Sequence, residues 1–423
     1  MKRFLRRISV KVVVLVVSAF GAVLWTVDAV WSMQEPGKVA SMSKQMKTVC
    51  VGRFLIDVPA SAQVSIGSAA VDGFDIVNYG KETREQFDGR MAQREAEINA
   101  GKNRAGLKNM ESVQAIRQDV VNGKIFVFDR KTSYYFAYGE KIPTESISVN
   151  GYAHVNNMSF GFIANGYKPE LASGLSVLLA QLQPMGKDTV PTQPGFCLDG
   201  AFLRDRASGE PDESIVMFAG LPSHEDLGIA LATIAGTTPG PGLIERNAAN
   251  RAGPYAFLNA FLSTLLEGKR SINGMEGDEL AFRARERNFS TGYTFDWEMQ
   301  GTKDNVLRPL VSLELQTGLS LHAGGQPVQS SLSEAAVSDL WRRMSSSLRV
   351  RPVAQPAQTG DMNLQPALAR DARASAGETC RQSGSRQRGE ANAHARRCPP
   401  PALAPDAAPA PHRAVAADAA PPA

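Results

Sequence analysis

The chain has 423 residues, 43% of them hydrophobic and 21% charged, which is enough for two or three globular domains with a sizeable core. Its pI near 8.8 comes from the ends: residues 1–33 carry five basic groups and one acid, and residues 353–423 carry eight and six. The 33 basic and 35 acidic groups of residues 34–352 leave that part slightly negative, which argues against a nucleic-acid-binding protein.

Residues 1–33 place Lys2, Arg3, Arg6, Arg7 and Lys11 ahead of an uncharged apolar run from Val12 to Val27. That is the layout of a secretory signal peptide. Continued to Trp31, the run approaches the ~20 residues that span a bilayer, so a cleaved signal and a membrane anchor both stand. Either way the chain is expected to leave the cytoplasm. Residues 34–48 are polar and read as a linker.

A first domain is expected over residues 49–184. It opens on Cys50-Val-Gly-Arg-Phe-Leu-Ile-Asp57, followed by an alternating apolar stretch from Val64 to Tyr79. Thr83 and Gln86 form a capping box for a helix with Phe87, Met91 and Ile98 on one face, its charged remainder facing water. Asn122-Gly123 reads as a turn. Ile125–Phe128, Tyr134–Tyr138 and Ser146–Ile163 read as antiparallel strands. The aromatic cluster Tyr134 to Tyr138 fits a sheet face packed on a helix better than a ligand platform. After Pro169, a helix carries Leu171, Leu175, Leu178, Leu179 and Leu182.

Residues 185–194, proline-rich and nearly free of apolar side chains, read as a semi-rigid linker to a second domain over residues 195–351. Its opening, Cys197-Leu-Asp-Gly-Ala-Phe-Leu-Arg-Asp205, echoes the Cys50 segment. The later elements recur in order: apolar strands at Ile215–Leu221 and Leu227–Ala235, a helix opened by Pro254 with Phe257, Leu258, Phe261, Leu262, Leu265 and Leu266, and an Asn273-Gly274 turn. Strands then fall at Glu279–Arg285, Tyr293–Met299 and Leu310–Leu315. A helix capped by Ser331 and Glu334 follows, with Val337, Leu340, Trp341, Met344 and Leu348 on one face. The expected fold is α+β, two diverged copies of one unit, each an antiparallel sheet packed with helices. Residues 352–423, rich in Ala, Pro and Arg, read as a disordered tail.

Cys50 and Cys197 are the only cysteines in the folded part. Outside the cytoplasm, a disulfide between two adjacent Cys strands and two separate buried cysteines both fit them. Searching for chemistry gives little. Gly174-Leu-Ser-Val-Leu178 lacks the second Gly of a nucleophile elbow, and His224-Glu225 has no second His to complete a zinc motif. C-x-x-C and Gly-rich phosphate loops are absent, and His154, His224 and His322 lie far apart in the chain. No catalytic set, cofactor or metal is implied, and a binding protein is the reading that remains.

The pattern Cys-x-Gly-Arg-Phe-x-Ile-Asp-x-Pro from Cys50 to Pro59, with Gly195-Phe-Cys-Leu-Asp-Gly-Ala-Phe202, resembles the immunity proteins that neutralise the fourth class of type VI secretion lipase effectors. The likeness spans roughly Lys47 to Pro352. It implies a periplasmic inhibitor, possessing two α+β domains that clamp the lid of a phospholipase effector and block access to lipid. No family motif maps contact residues onto this chain. The charged loops of the second domain are the candidates: Asp205, Arg206, Glu210, Asp212 and Glu213, with His224, Glu225 and Asp226. A cell-envelope hydrolase of unfamiliar type and a membrane-anchored scaffold are the competing readings.

Overall fold

The computed structural model describes residues 45–118, 120–186, 189–204, 212–253, 256–303 and 305–354. The expected signal or anchor segment lies outside them, as does the tail beyond residue 354. Among the described residues no helix is long and apolar enough to cross a membrane.

The first half of the chain forms β1 (Met46–Val51), β2 (Phe54–Pro59), β3 (Gln63–Val71), β4 (Phe74–Lys81), α1 (Arg84–Ala100), β5 (Met110–Gln118), β6 (Val121–Ala137), β7 (Glu140–Val155), β8 (Met158–Tyr167), α2 (Gly174–Ala180) and β9 (Leu182–Pro184). The second forms β10 (Gly195–Cys197), β11 (Ala201–Arg204), β12 (Glu213–Leu221), β13 (His224–Ile234), α3 (Leu243–Ala252), β14 (Leu262–Ile272), β15 (Met275–Arg285), β16 (Thr291–Met299), β17 (Leu310–Gln316), α4 (Glu334–Ser347) and β18 (Arg349–Val350). Each half therefore runs hairpin, two strands, helix, four strands, helix, short strand. The structure is mostly antiparallel sheet with few helices.

One twelve-stranded sheet joins the halves, in the order β14-β15-β16-β17-β13-β12-β3-β4-β8-β7-β6-β5. Its centre is the antiparallel pair β3–β12, from Glu213 opposite Val71 to Gly220 opposite Gln63. Two small sheets complete the fold by exchange. The hairpin β1–β2 pairs with β18 from the end of the second half, while β10–β11 pairs with β9 from the end of the first. Each copy is thus closed by a strand of the other, and β2 packs against α4. The two copies are interlocked.

Helix α1 carries the capping box read from the sequence: the Thr83 side chain accepts from the Gln86 backbone N–H, and the Gln86 side chain returns to the Thr83 N–H. Phe87, Met91 and Ile98 are buried against Phe126, Phe128 and Tyr152. On the opposite face, Gly151 of β7 lets α2 approach, since a Cβ there would lie 2.7 Å from Leu175 Cδ2. In the second half, Trp341 and Leu340 of α4 meet Phe295 and Trp297 of β16, all essentially inaccessible. Each such side chain contributes about 1.5–3 kcal/mol by leaving water.

Of three local expectations, two change and one holds. Asn122-Gly123 lies inside β6, where Gly123 packs under the Tyr152 carbonyl; the connection instead falls between Gln118 and Val121. Asn273-Gly274 does turn the β14–β15 hairpin, both residues at positive φ as a type I′ turn requires. The apolar stretch after Pro254 is a short 3-10 turn over Ala256–Phe261 and then strand β14, with Leu262 and Leu266 exposed. Its pairing along β15 outweighs the helical spacing of its leucines.

The largest departure is at Tyr134–Tyr138. Beyond Phe128 the strand β6 has no β5 partner, and before Ile147 the strand β7 has no β8 partner. Residues from Lys131 to Ser146 pair only with each other, turning at Tyr138 and Gly139, both at positive φ. They form a free two-stranded arm of about 20 Å at the usual rise per residue. Tyr134, Tyr135, Phe136 and Tyr138 are all exposed on it, where the sequence suggested packing on a helix.

Candidate partner-binding surface

The junction between the halves is closely bonded. Arg53 donates from Nε and Nη2 to the two Glu213 carboxylate oxygens at 2.7 and 2.6 Å, and both side chains are nearly buried. Cys50 and Cys197 are joined by a disulfide with Cα atoms 5.9 Å apart. Beside it, Gly52 and Cys197 exchange backbone hydrogen bonds of 3.1 and 2.8 Å. Gly52 sits at φ 57°, and a Cβ there would reach within 2.9 Å of the Phe196 ring, so glycine suits both the backbone and the space. Buried Arg351 donates to the carbonyls of Pro191, Gln193 and Gly195 and stacks over Phe202 at 5.1 Å. The proline-rich segment between the copies is therefore held to the body of the protein.

Next to this junction the sheet splits. β3 and β4 pair only at Ala69–Ile76, Ala70–Asp75 and Val71–Phe74, after which β3 continues along β12 and β4 along β8. Between them opens a groove of about 520 Å³ lined by Ile66, Ala69, Val77, Tyr79, Leu198 and Asp199. Asn78 crosses one end, donating to the Asp199 carbonyl at 3.0 Å and to its carboxylate at 3.1 Å. Its floor and walls combine apolar side chains with strand edges, a suitable seat for part of another chain.

Of the charged residues singled out in the sequence, only Asp212, Glu213, His224, Glu225 and Asp226 are among the described residues. Asp205, Arg206 and Glu210 lie outside the described residues. Glu213 is committed to Arg53. The Asp212 carbonyl accepts from the Asp72 N–H at 2.9 Å. Asp226 is buried, its Oδ2 accepting from the Gly318 and Ser331 N–H groups at 3.0 Å each, so it locks the loop before α4. His224 Nδ1 lies 2.8 Å from Ser331 Oγ, and Glu225 is exposed. Glu213, at the start of β12, and Asp226, in β13, thus hold the protein together, where the sequence reading put both in loops.

Two Ser–His pairs invite a catalytic reading. His154 Nδ1 lies 3.1 Å from Ser159 Oγ across the β7–β8 hairpin, with Glu82 close by. Ser159 is wholly inaccessible, Phe87 stacks on His154 at 5.4 Å, and burial pushes the His154 pKa down. Glu82 is held by Arg90 at 3.0 and 2.8 Å, and that hydrogen bonding keeps its pKa low. The Ser159 hydroxyl is closed off from solvent. In the second pair the acid, Asp226, is turned to backbone N–H groups.

The outer face of the second half carries carboxylates. Asp296 of β16 stands directly opposite Glu314 of β17, with Glu298 two residues along. Burial, then the charges of Glu314 and Glu298, raise the Asp296 pKa to about 7. Glu298 is held by Arg246 of α3 at 2.8 and 2.7 Å.

Architecturally this is a protein of two intertwined α+β copies sharing one sheet. Residues 47–170 match the family model described as Tle cognate immunity protein 4 N-terminal domain, and residues 189–353 match the corresponding C-terminal domain. The chain belongs to the Tle cognate immunity protein 4 family. Its fold is similar to that in the crystal structure of a Tle4-Tli4 complex, at TM-score 0.60 and 19% identity over 74% of this chain and 99% of that one. It is also similar to TplEi, an immunity protein of the type VI secretion system from Pseudomonas aeruginosa. The apo form of TplEi gives TM-score 0.59 and 21% identity over 74% of this chain and all of that one. TplEi complexed with "L" peptide gives 0.55 and 19% over 73% and 99%. No curated protein matches the chain in sequence.

Proposed function

We propose that the chain is an immunity protein that binds and inhibits a phospholipase effector of the type VI secretion system in the periplasm, clamping the effector's lid between two domains and so blocking access to lipid. The domains are those read from the sequence, residues 49–184 and 195–351. The observation that carries this reading is the match of both copies, in order, to the two domains of one immunity family. A closely bonded junction with a split sheet beside it supports it physically: two halves fixed by Arg53–Glu213 and Cys50–Cys197 present a preformed surface, and preformed surfaces spend little binding energy on ordering. The N-terminal basic and apolar segment would deliver the chain to the compartment where such an effector acts, cleaved or as an inner-membrane anchor. Inhibition by occupation needs no cofactor and no turnover.

The test is co-expression with the cognate lipase directed to the periplasm. Cells carrying this protein should survive and cells lacking it should lyse. Equal survival of the two strains would refute the reading.

A further inference from the structure

We infer that the projecting arm of β6 and β7 is an anchor of the effector interface, inserting Phe136 and Tyr138 into an apolar recess on the protein partner. This rests on the immunity reading above and names a surface which that reading leaves open. Among the described residues the strands of the arm pair only with each other from Lys131 to Ser146, Phe136 is 74% exposed and Tyr138 fully so. Large aromatic side chains held on a two-stranded ribbon carry much contact area at little entropic cost, and they are the residue types that dominate interface energetics. A tip with Tyr138 and Gly139 at positive φ fixes the turn, so the side chains are presented from a defined backbone.

The chemistry of the arm selects the occupant. Residues 129–146 carry three cations and three acids, so an anionic membrane surface exerts no net pull on them. The cations are also engaged: Arg130 with Glu111 and Glu145, Lys131 with Asp129 at 2.5 Å, and Lys141 over the Tyr134 ring at 4.0 Å. A second copy adding its strand along β7 would meet Pro143, which has no N–H to offer the ladder. What remains is a neutral, aromatic surface suited to an apolar patch of a protein, and the effector of the proposed function is the protein partner it fits.

The experiment compares the full chain with Phe136→Thr and Tyr138→Asn, replacements that keep the strand and turn conformations. Leu107→Ser, another exposed apolar position away from the arm, is the control. Calorimetric titration against the cognate effector should show each arm variant weakened by at least about 30-fold and the control unchanged. Thermal unfolding should be the same for all four proteins. Arm variants that bind like the parent would overturn the inference while leaving the immunity function intact. Failure of the parent chain to bind the effector at all would overturn both. Co-sedimentation of the parent with phosphatidylglycerol vesicles, lost in the arm variants while effector binding persists, would assign the arm to a membrane and overturn it too.

Discussion

In the first half, α1 runs for 17 residues and drives Phe87, Met91 and Ile98 into the sheet; its counterpart in the second half, α3, runs for 10 and buries none. The consequence is visible strand by strand. From Ser148 to Val155 every residue of β7 is buried, because α1 covers one face and α2 the other. In β16 burial alternates, with Tyr293, Phe295, Trp297 and Met299 inside and Thr294, Asp296 and Glu298 toward the face that α3 leaves partly open. There α3 is held by polar contacts instead, through Arg246 to Glu298 and through the Ile244 N–H to Asp278. The hairpins diverge in parallel. β6–β7 extends into an aromatic arm, whereas β15–β16 closes within residues 286–290, with Phe289 exposed at its tip. One topology therefore tolerates two ways of finishing a sheet, provided that the shared inner core and the exchanged strands are kept.

Because the junction serves both halves, its loss should have the largest effect. Arg53→Ala leaves the Glu213 carboxylate buried without its bidentate partner, and urea unfolding should show a loss of about 3–5 kcal/mol. The contrast between the helices is sharpened by a pair of substitutions. Phe87→Ala opens a cavity under α1 and should cost about 3–5 kcal/mol, while Leu243→Ala in α3 should cost less than about 1 kcal/mol. Equal losses would show that α3 is as deeply seated as α1.

Replacing both Cys50 and Cys197 with Ala frees a loop closed over 147 residues and should lower stability by about 2–4 kcal/mol. Adding reductant should then change the parent and leave the double variant unaffected. A pH-dependent effect belongs to the acidic face. Asp296 holds its proton in the folded state up to a pKa of about 7, whereas in the unfolded chain it ionises near the ordinary value of 3.8. Between those values the unfolded state binds fewer protons, so this group's contribution makes stability fall as pH rises from about 4 to about 7. Asp296→Asn should remove that slope and raise stability at pH 8 by about 1–2 kcal/mol. A parent and a variant with the same pH profile would place the carboxylate in water.

Much of this organisation is legible in the residues. The capping box at Thr83, the Asn273-Gly274 turn, the alternation from Tyr293 to Met299 and the apolar face of α4 are local patterns, and the repeated Cys segments give the two-copy plan. What is hidden depends on partners distant in the chain. Nothing in Arg349-Val350 or Leu182–Pro184 announces that each closes a hairpin of the other copy, because strand exchange is written in no local periodicity. Tyr134–Tyr138 has the composition of a packed strand, and only the absence of β5 and β8 alongside reveals an arm. Leu262, Leu265 and Leu266 read as a helix by spacing, and pairing along β15 overrides that reading. Of the charged residues, Glu213 and Asp226 read as loop acids free to contact a partner, since Arg53, Gly318 and Ser331, which hold them, stand 92 to 160 residues away.

The proposed function has this protein act by occupying a lipase. Titrating the purified cognate phospholipase with the full chain, while following release of fatty acid from vesicles, tests that claim most directly. Activity should fall linearly and reach its floor at one equivalent. Full activity in the presence of excess protein, or fatty-acid release by the protein alone, would contradict it.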